Sequence, residues 1–143
     1  TVLDVSGAVP VLLRPGGVGL EALEDALGRV CFPEGEMEAR RSPGTRYRHY
    51  APSVPVFLWH LGKSWPTAAA DPSRTGYLGL RVPPVKVRAE VLFDSPEHYA
   101  RGLFSGLRHL ERSGVSVIVA DWPEAGGIGL ALRDRLARAA GLH

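Results

Sequence analysis

The sequence is poor in cysteine and has no long apolar run. Cys31 is the single cysteine among 143 residues, which excludes an internal disulfide framework and a zinc site built from several cysteines. We expect Cys31 to be a small, partly buried hydrophobic residue. The chain contains no stretch of about 18 apolar residues and no charged start followed by an apolar signal core. We therefore expect no membrane association and a cytoplasmic, reducing setting.

The net charge of the chain is also small. The formal net charge is +2, with 45% hydrophobic and 22% charged residues, which is a balance typical of a globular domain with a sizeable core. Any contact with a polyanion must then be local. Because Thr1–Val5 already has a strand-like pattern and no methionine precedes it, we expect the chain to be a piece of a longer protein.

The first third of the chain predicts a strand, a strand and a helix. Two short apolar runs, 1–5 and 9–13, are separated by a Ser-Gly turn, and leucines recur at helical spacing from 18 to 27. Gly28 is a typical helix end. Residues 29–53 are rich in Gly, Pro, Glu and Arg without periodicity, which indicates a linker.

From residue 54 onward the pattern alternates between strands and helices. Ser95 and Pro96 provide a capping hydroxyl and a first helical residue, and the apolar run 115–120 is typical of a strand buried on both faces. A last helix follows the glycines at 126–129. The predicted strands are 54–61, 75–82, 89–93 and 115–120. This order predicts a small, mainly parallel α/β domain over 54–143, with the sheet flanked by helices.

Most generic site patterns are absent or incomplete. The turn 126–129 only partly matches the dinucleotide fingerprint, because Leu132 occupies the third glycine position, so a tight strand-to-helix turn is the simpler interpretation. The histidines lack the spacing of a metal site, and no G-x-S-x-G motif is present. We assign no metal ligand and no catalytic residue.

Arg14 ends a predicted strand directly before Pro-Gly-Gly and a helix. An arginine there can present its planar guanidinium to a phosphate or carboxylate while the glycines allow close approach. A solvated arginine at a strand end is the alternative, and on residue chemistry alone it is the simpler one.

The basic run at 40–52, RRSPGTRYRHYAP, has a Pro-Gly turn followed by an extended segment. In that segment Arg46, Arg48 and Tyr50 alternate with Tyr47 and His49, so one side is cationic and the other carries two rings. Such side chains stack, donate hydrogen bonds and hold anions. The pattern favours a contact with a phosphate or with nucleic acid over a solvated linker, and does not choose between the two.

The segment SPGTRYRHYAP (42–52) resembles the linker signature of the two-domain threonylcarbamoyl-AMP synthases, with Thr45 where the family commonly has methionine. Residues 1–18 resemble the end of that family's YrdC-like catalytic domain, and 126–141 resemble its closing helix. The resemblance implies three regions: the end of the catalytic domain over 1–28, a linker or lid over 29–53, and a Rossmann-like α/β domain over 54–143.

The resemblance also implies an activity. Members of the family are nucleotidyltransferases. They condense L-threonine, bicarbonate and ATP, with Mg²⁺, into threonylcarbamoyl-AMP and release pyrophosphate. A partner transferase complex then modifies adenosine 37 of tRNA. Arg14 matches the family arginine at the ATP phosphates. The linker residues that match the signature over the catalytic pocket are Arg46, Tyr47, Arg48, His49 and Tyr50.

The main ATP- and threonine-binding motifs of the family lie upstream of Thr1, in the N-terminal catalytic domain. We therefore expect the fragment alone to be inactive and to supply the linker and an accessory domain. A tRNA- or nucleic-acid-binding module, or a regulatory α/β module, is the alternative function.

Overall fold

The computed structural model describes residues 1–35 and 51–142. These residues form two compact units. The N-terminal unit comprises 1–35 and 124–131, and the C-terminal unit comprises 51–123 and 132–142. The three regions suggested by the sequence, and the two boundaries between them, stay a prediction.

The N-terminal unit contains two strands and a helix, as the sequence predicts, and the structure shows that the strands are antiparallel. Strand β1 (Val2–Asp4) pairs with β2 (Val11–Arg14), and helix α1 spans Leu20–Leu27. The helix ends because Gly28 adopts a φ of 77° and donates its backbone N–H to Glu24 O at 2.9 Å. A small core made of Leu12, Leu23 and Val30 holds the helix against the strands.

The C-terminal unit is built on a parallel sheet. Its strands in the described residues are β3 (Val56–Trp59), β4 (Thr75–Gly79), β5 (Ala89–Leu92) and β6 (Val117–Asp121). They are ordered β3-β6-β4-β5, and every neighbouring pair is parallel. Both inner strands, β4 and β6, are buried along their whole length, which explains the continuous apolar run in β6. The predicted α/β class with a parallel sheet is confirmed.

One face of the sheet is covered by helices. Helix α2 (Pro96–Arg112) begins where Ser95 Oγ accepts the backbone N–H of His98 at 3.1 Å, which confirms the predicted cap. Helix α3 spans Gly129–Ala139. The fully buried side chains that these helices contribute to the core are Tyr99, Leu103, Leu107, Leu110, Leu132 and Leu136.

In the described residues, the opposite face is covered mainly by aromatic side chains. Trp59 and Tyr77 pack there against Val117 and Val119. The segment between β3 and β4 forms two short 3₁₀ turns, Thr67–Ala69 and Pro72–Arg74, and places Ala69 and Trp65 on this face. None of the helices in the described ranges is both long and apolar enough to cross a membrane.

Strand β4 is shorter than the pattern predicts. It ends at Gly79 instead of continuing to Val82. The reason is that the N–H groups of Leu80 and Arg81 donate to the carboxylate of Asp121, at 3.1 and 3.3 Å, which turns the chain out of the sheet. Gly79 is required there, because a Cβ would lie 2.2 Å from Asp121 Cβ.

Candidate functional site

Arg14 occupies the end of β2 in the N-terminal unit, as the sequence predicts. It lies opposite Val2 of β1 and is half-buried, and Pro15-Gly16-Gly17 follows directly. The strand pair therefore fixes the backbone from which the guanidinium extends. An arginine held in this way offers planar donors suited to a phosphate or carboxylate.

Gly16, two residues after Arg14, allows the chain to pass close to the backbone of Thr1. A Cβ on Gly16 would lie 2.1 Å from the backbone nitrogen of Thr1 and 2.8 Å from its Cα. At Gly17, by contrast, a Cβ would have nothing within 4 Å. Gly16 is therefore needed because a side chain would collide with Thr1, whereas the space around Gly17 would accept a Cβ.

The Thr1 hydroxyl closes this turn. It donates to Val18 O and accepts the N–H of Val18, both at 3.0 Å. The segment between β2 and α1 is therefore tied to the start of β1. This closure was not foreseen from the sequence, because it joins residues 17 positions apart.

Cys31 stabilises the same unit through its backbone. Its N–H donates to Pro10 O at 2.9 Å, and its carbonyl accepts the N–H of Leu12 at 2.8 Å. The side chain is half-buried, as expected. These bonds extend the edge of β2 and help to hold the strand that carries Arg14.

The five linker residues assigned with Arg14 are not among the residues that the structure describes. Arg46, Tyr47, Arg48, His49 and Tyr50 lie in the range 36–50, outside the described residues. Their roles as ATP or adenylate contacts stay predictions. Arg14 is thus the one assigned site residue whose surroundings the structure describes.

The glycine turn before α3 is already partnered. The N–H of Gly127, whose φ is 55°, donates to Glu21 Oε1 at 3.4 Å, and both residues belong to the N-terminal unit. A Cβ on Gly129 would lie 1.8 Å from Glu124 O. A carboxylate at the turn's N–H and this backbone crowding support the tight turn over a pyrophosphate site.

A buried ion pair at the carboxyl ends of β4 and β6 was not identified from the sequence. Asp121 is completely buried and contacts the guanidinium of Arg81, which also donates to Trp122 O at 3.2 Å. The Arg81 Cζ atom lies 5.8 Å from the centre of the Trp59 ring. Two features of the sequence could have indicated this pair. One is the aspartate at the end of an apolar strand, and the other is the arginine just after the neighbouring strand.

The contacts of Asp121 have a structural role rather than a catalytic one. Its carboxylate accepts the N–H groups of Leu80 and Arg81 as well as the guanidinium, so its oxygens are already engaged. Burial raises the pKa of the Tyr77 hydroxyl, and the nearby Asp121 carboxylate adds to this rise. Tyr77 Oη and Arg81 Nε are buried and have no hydrogen-bond partner among the residues that the structure describes. This cluster stabilises the loop after β4 and offers no free carboxylate as a base.

The histidines do not form a metal site in the described part of the chain. No group of three or more His, Cys, Asp or Glu side chains is arranged there to hold an ion. His98 pairs instead with Asp94 at 2.7 Å, and this hydrogen bond lowers the pKa of the Asp94 carboxyl. His60 lies beside the Trp122 ring, with 5.4 Å between the ring centres.

Comparison with known proteins identifies the family. The family model described as "Threonylcarbamoyl-AMP synthase, C-terminal domain" matches residues 18–141. The chain is 34% identical over 157 residues to the threonylcarbamoyl-AMP synthase of Pyrococcus abyssi (strain GE5 / Orsay), covering 99% of this chain and 45% of that protein. It is 31% identical over 159 residues to that of Bacillus subtilis (strain 168), covering 99% and 44%. The chain thus spans less than half the length of these curated relatives.

Solved structures agree with the sequence comparison. The crystal structure of P. abyssi Sua5 complexed with L-threonine superposes with a TM-score of 0.79 at 32% identity, covering 99% of this chain and 45% of that chain. A second structure of P. abyssi Sua5, in which an adjacent histidine and tyrosine are both replaced by alanine, gives a TM-score of 0.79 at 31% identity, with 99% and 44% covered. The chain therefore belongs to the threonylcarbamoyl-AMP synthase family, within the region that the C-terminal-domain model describes.

Proposed function

We propose that this chain is part of an enzyme that makes threonylcarbamoyl-AMP from L-threonine, bicarbonate and ATP and releases pyrophosphate, which is a nucleotidyltransferase reaction. The observation that carries the proposal is the match over 18–141 to the C-terminal-domain model of this synthase. The similarity of 99% of the chain to P. abyssi Sua5, whose structure was solved with L-threonine, supports threonine as a substrate.

Within that enzyme, the chain supplies the linker and an accessory domain. In this proposal the main ATP and threonine contacts come from a part of the enzyme outside this chain, which covers 45% of the P. abyssi relative. The fragment alone is accordingly inactive. Its product is consumed by a transferase complex that modifies adenosine 37 of tRNA, in the cytoplasm.

Arg14 binds the ATP phosphates in this proposal. The antiparallel pair fixes its backbone, and Gly16 lets the following turn approach Thr1 closely. A guanidinium held in place offsets the charge that develops when the bond between the α- and β-phosphates breaks and pyrophosphate leaves. Because the guanidinium is already in position, it does not have to reorient when this bond breaks.

The linker motif acts as a lid over the adenylate. Arg46 and Arg48 provide positive charge, while Tyr47, His49 and Tyr50 provide rings and polar tips. A lid of this kind excludes water from a mixed anhydride that hydrolyses readily. The role comes from the sequence motif, which lies outside the described residues.

One structure of P. abyssi Sua5 has alanine in place of an adjacent histidine and tyrosine, and in this proposal the linker pair of the present chain is their counterpart. The present chain has two such pairs, His49-Tyr50 and His98-Tyr99. Tyr99 is completely buried, and its hydroxyl donates within the core toward Asp121 O at 3.2 Å and Leu78 O at 3.4 Å. Because Tyr99 is a core residue, the linker pair is the better candidate for a substrate contact.

Magnesium would enter as a complex with ATP. The described residues contain no cluster of acidic or histidine ligands that would hold the ion by themselves. Magnesium commonly binds through substrate phosphates with few protein ligands, which is compatible with this arrangement. When bound, the ion neutralises phosphate charge, and Arg14 contributes to the same neutralisation from the protein side.

The nucleic-acid-binding alternative receives less support. In helix α3, Arg138 pairs with Asp134 at 3.0 Å, and Arg133 donates to Pro123 O at 2.7 Å. These arginines are engaged within the unit rather than arrayed toward a polyanion. Salt dependence separates the two functions, since binding through several phosphates weakens steeply with salt.

The test uses the full-length enzyme and measures pyrophosphate release with ATP, L-threonine and bicarbonate. We expect Arg14→Ala, His49→Ala and Tyr50→Phe each to lower kcat/KM for ATP, by roughly 10- to 100-fold for Arg14→Ala, as for loss of a charge-assisted contact. Arg29→Ala, an exposed arginine of the same unit, is the matched control. If all three variants keep full activity, the assignment of Arg14 and the linker is wrong.

A further inference from the structure

Helix α2 carries a row of arginines on its exposed side. Arg101, Arg108 and Arg112 are all exposed, and their spacing places them on the side of the helix opposite to its buried residues. An α-helix turns about 100° and rises about 1.5 Å per residue, so the three arginines fall within about 40° of one another and extend over about 16 Å. We refer to these three residues as the arginine stripe.

The charges of the stripe are not neutralised within the described part of the chain. None of the three guanidinium groups forms an ion pair there. The two carboxylates of α2 are Glu97 and Glu111. Glu111 is half-buried and accepts the N–H and the hydroxyl of Ser53, at 2.5 and 2.8 Å, and Glu97 lies in the first turn, ahead of the stripe. The stripe therefore presents its positive charges to solvent.

Helix stability does not explain this row of like charges. Arg108 and Arg112 are four residues apart, and two charges of the same sign at this spacing destabilise a helix. Arg112 lies in the last turn, where a cation is favoured by the helix dipole, but Arg101 and Arg108 lie further from the helix end. Because the local preference is broken without a local gain, the row indicates a ligand of opposite charge.

Arg88 adds a fourth cation at the carboxyl end of the same helix. Its Nε–H donates to Ser113 O at 2.8 Å, and Ser113 is the capping residue that follows α2. Arg88 is exposed and lies directly before β5. The cationic surface is therefore assembled by tertiary structure as well as by helical spacing.

The surface offers charge without an apolar patch. In the described residues, none of the large hydrophobic residues that are exposed lies on α2, where Tyr99 is buried and Phe104 is half-buried. A protein interface has an apolar or aromatic centre, and a helix that binds a membrane surface needs an apolar face. Unpaired bases bind by stacking on aromatic rings. The phosphates of a base-paired stem require positive charge and hydrogen-bond donors, which planar guanidinium groups supply.

We propose that the arginine stripe binds the phosphate backbone of a base-paired RNA stem, such as a stem of tRNA. The choice of RNA rests on the proposed function, whose product is used to modify tRNA. Binding does not depend on base sequence, because contacts to phosphates position a nucleic acid without reading its bases. The stripe is separate from the arginines of α3, which are engaged within their unit. The accessory unit then has a binding task of its own.

The main test measures binding of a fluorescein-labelled tRNA transcript to the full-length protein by fluorescence anisotropy, between about 50 and 200 mM KCl. The variant Arg101→Gln/Arg108→Gln/Arg112→Gln removes the charges and retains residues that favour a helix. We expect its Kd to rise by roughly 10- to 100-fold at the lower salt concentration. The slope of log K against log salt should fall by about 2–3, since each phosphate contact contributes about 0.9 in duplex DNA. Lysine at the same three positions keeps the charges and should raise Kd by less than about threefold.

The variant Lys63→Gln/Arg74→Gln/Lys86→Gln is the matched control. These three cations are exposed in the same unit but lie outside α2. The control lowers the formal net charge by the same amount as the stripe variant, and it should keep Kd and the salt slope within about twofold of the wild type. An equal loss of binding in the control would show that net charge rather than the stripe attracts RNA, and would overturn the proposal.

Three other ligands test the kind of partner. Poly-L-glutamate represents an acidic protein surface, vesicles containing phosphatidylserine represent an anionic membrane, and an unpaired oligonucleotide represents a single strand. The stripe variant should lose more affinity for tRNA than for any of these. A larger loss for one of them would assign the stripe to that class and overturn the proposal. Wild-type protein that does not bind tRNA, or a stripe variant with the affinity and salt slope of the wild type, would also overturn it.

Pyrophosphate release separates this inference from the proposed function. The stripe contains no residue assigned to ATP, so the stripe variant should release pyrophosphate at the rate of the wild type when tRNA is absent. Parallel loss of release and of tRNA binding would contradict a surface that is specific for RNA. If the wild type released no pyrophosphate, the proposed function would fail, while salt-sensitive tRNA binding through the stripe would still support this inference. If the triple variant does not fold, Arg101→Gln and Arg108→Gln decide the question singly, since each should lower the salt slope by about 1.

Discussion

The two units differ in how much apolar side chain each one buries. In the described residues, the core of the N-terminal unit contains three buried side chains, whereas the C-terminal unit has one cluster of twelve and a second of five. Because burial of apolar surface is the main stabilising term in folding, the C-terminal unit has the larger reserve of stability. Arg14, the described candidate for substrate contact, belongs to the unit with the smaller core.

The buried ion pair should give the largest effect in the C-terminal unit. Asp121→Ala removes the carboxylate that accepts the Arg81 guanidinium and the N–H groups of Leu80 and Arg81, so we expect a loss of about 3–5 kcal/mol in the free energy of unfolding. Urea denaturation followed by tryptophan fluorescence measures this, because Trp59, Trp65 and Trp122 all lie in that unit. The double variant Arg81→Ala/Asp121→Ala should cost less than the sum of the single changes. Additive costs would show that the two residues are not coupled.

Equivalent leucine truncations compare the two cores directly. Leu103 is fully buried in the larger cluster, and Leu103→Ala should cost about 3–4 kcal/mol. Leu23 is 9% exposed in the three-residue cluster, and Leu23→Ala should cost about 2 kcal/mol, at the lower end of the usual range. Hydrogen exchange of the amides in each unit checks both values. A larger cost for Leu23→Ala would reverse the comparison.

The adjacent glycines after Arg14 offer a matched pair. Gly16→Ala places a Cβ against the backbone of Thr1, and we expect a cost of about 1–3 kcal/mol together with a higher KM for ATP in the full-length enzyme. Gly17→Ala meets no atom within 4 Å and should change little. Thermal unfolding and pyrophosphate release measure both consequences. Equal behaviour of the two variants would contradict the steric role of Gly16.

Loss of the hydroxyl from the buried tyrosines Tyr77 and Tyr99 should change the free energy of unfolding by different amounts. Tyr99→Phe removes a donor to Leu78 O and Asp121 O, and should cost about 1 kcal/mol. Tyr77→Phe removes a buried hydroxyl that has no hydrogen-bond partner in residues 1–35 and 51–142, so it should change stability by less than about 0.5 kcal/mol or increase it. Denaturant unfolding at neutral pH measures both. A loss above 1 kcal/mol in Tyr77→Phe would indicate an unrecognised partner.

The same tyrosines predict the smallest effect, a loss of stability at alkaline pH. Burial raises the pKa of both hydroxyls, so the folded state favours their neutral form. Their contribution is fully present below the unfolded-state pKa of about 10 and decreases as the pH rises above that value. Unfolding free energies measured between pH 8 and 11 should fall less steeply in Tyr77→Phe. Identical slopes in the variant and the wild type would contradict this.

Local patterns predicted much of the fold. The Ser95 cap and the buried run in β6 both follow from residue type and position in the sequence, and the structure confirms each one. The family, too, was indicated by the motif at 42–52. The sequence also indicated Arg14 at a strand end, because the breaker Pro-Gly-Gly follows it directly.

Other features depend on residues that are distant in sequence. The Arg81–Asp121 pair joins positions 40 apart, and Ser53–Glu111 joins positions 58 apart, so no local pattern contains either contact. The end of β4 at Gly79 has the same origin, since Asp121 captures the next two N–H groups. The propensities of Leu80 and Val82 alone favour a longer strand.

For this chain, periodicity, caps and breakers in the sequence determined which segments form helices and strands, because those preferences act within a few residues. Only the tertiary structure decided the strand order β3-β6-β4-β5, the burial of Asp121 and the attachment of Ser53 to Glu111. Each of these depends on groups that come into contact only when the chain folds, and the complete burial of Asp121 makes an unpaired polar group there costly.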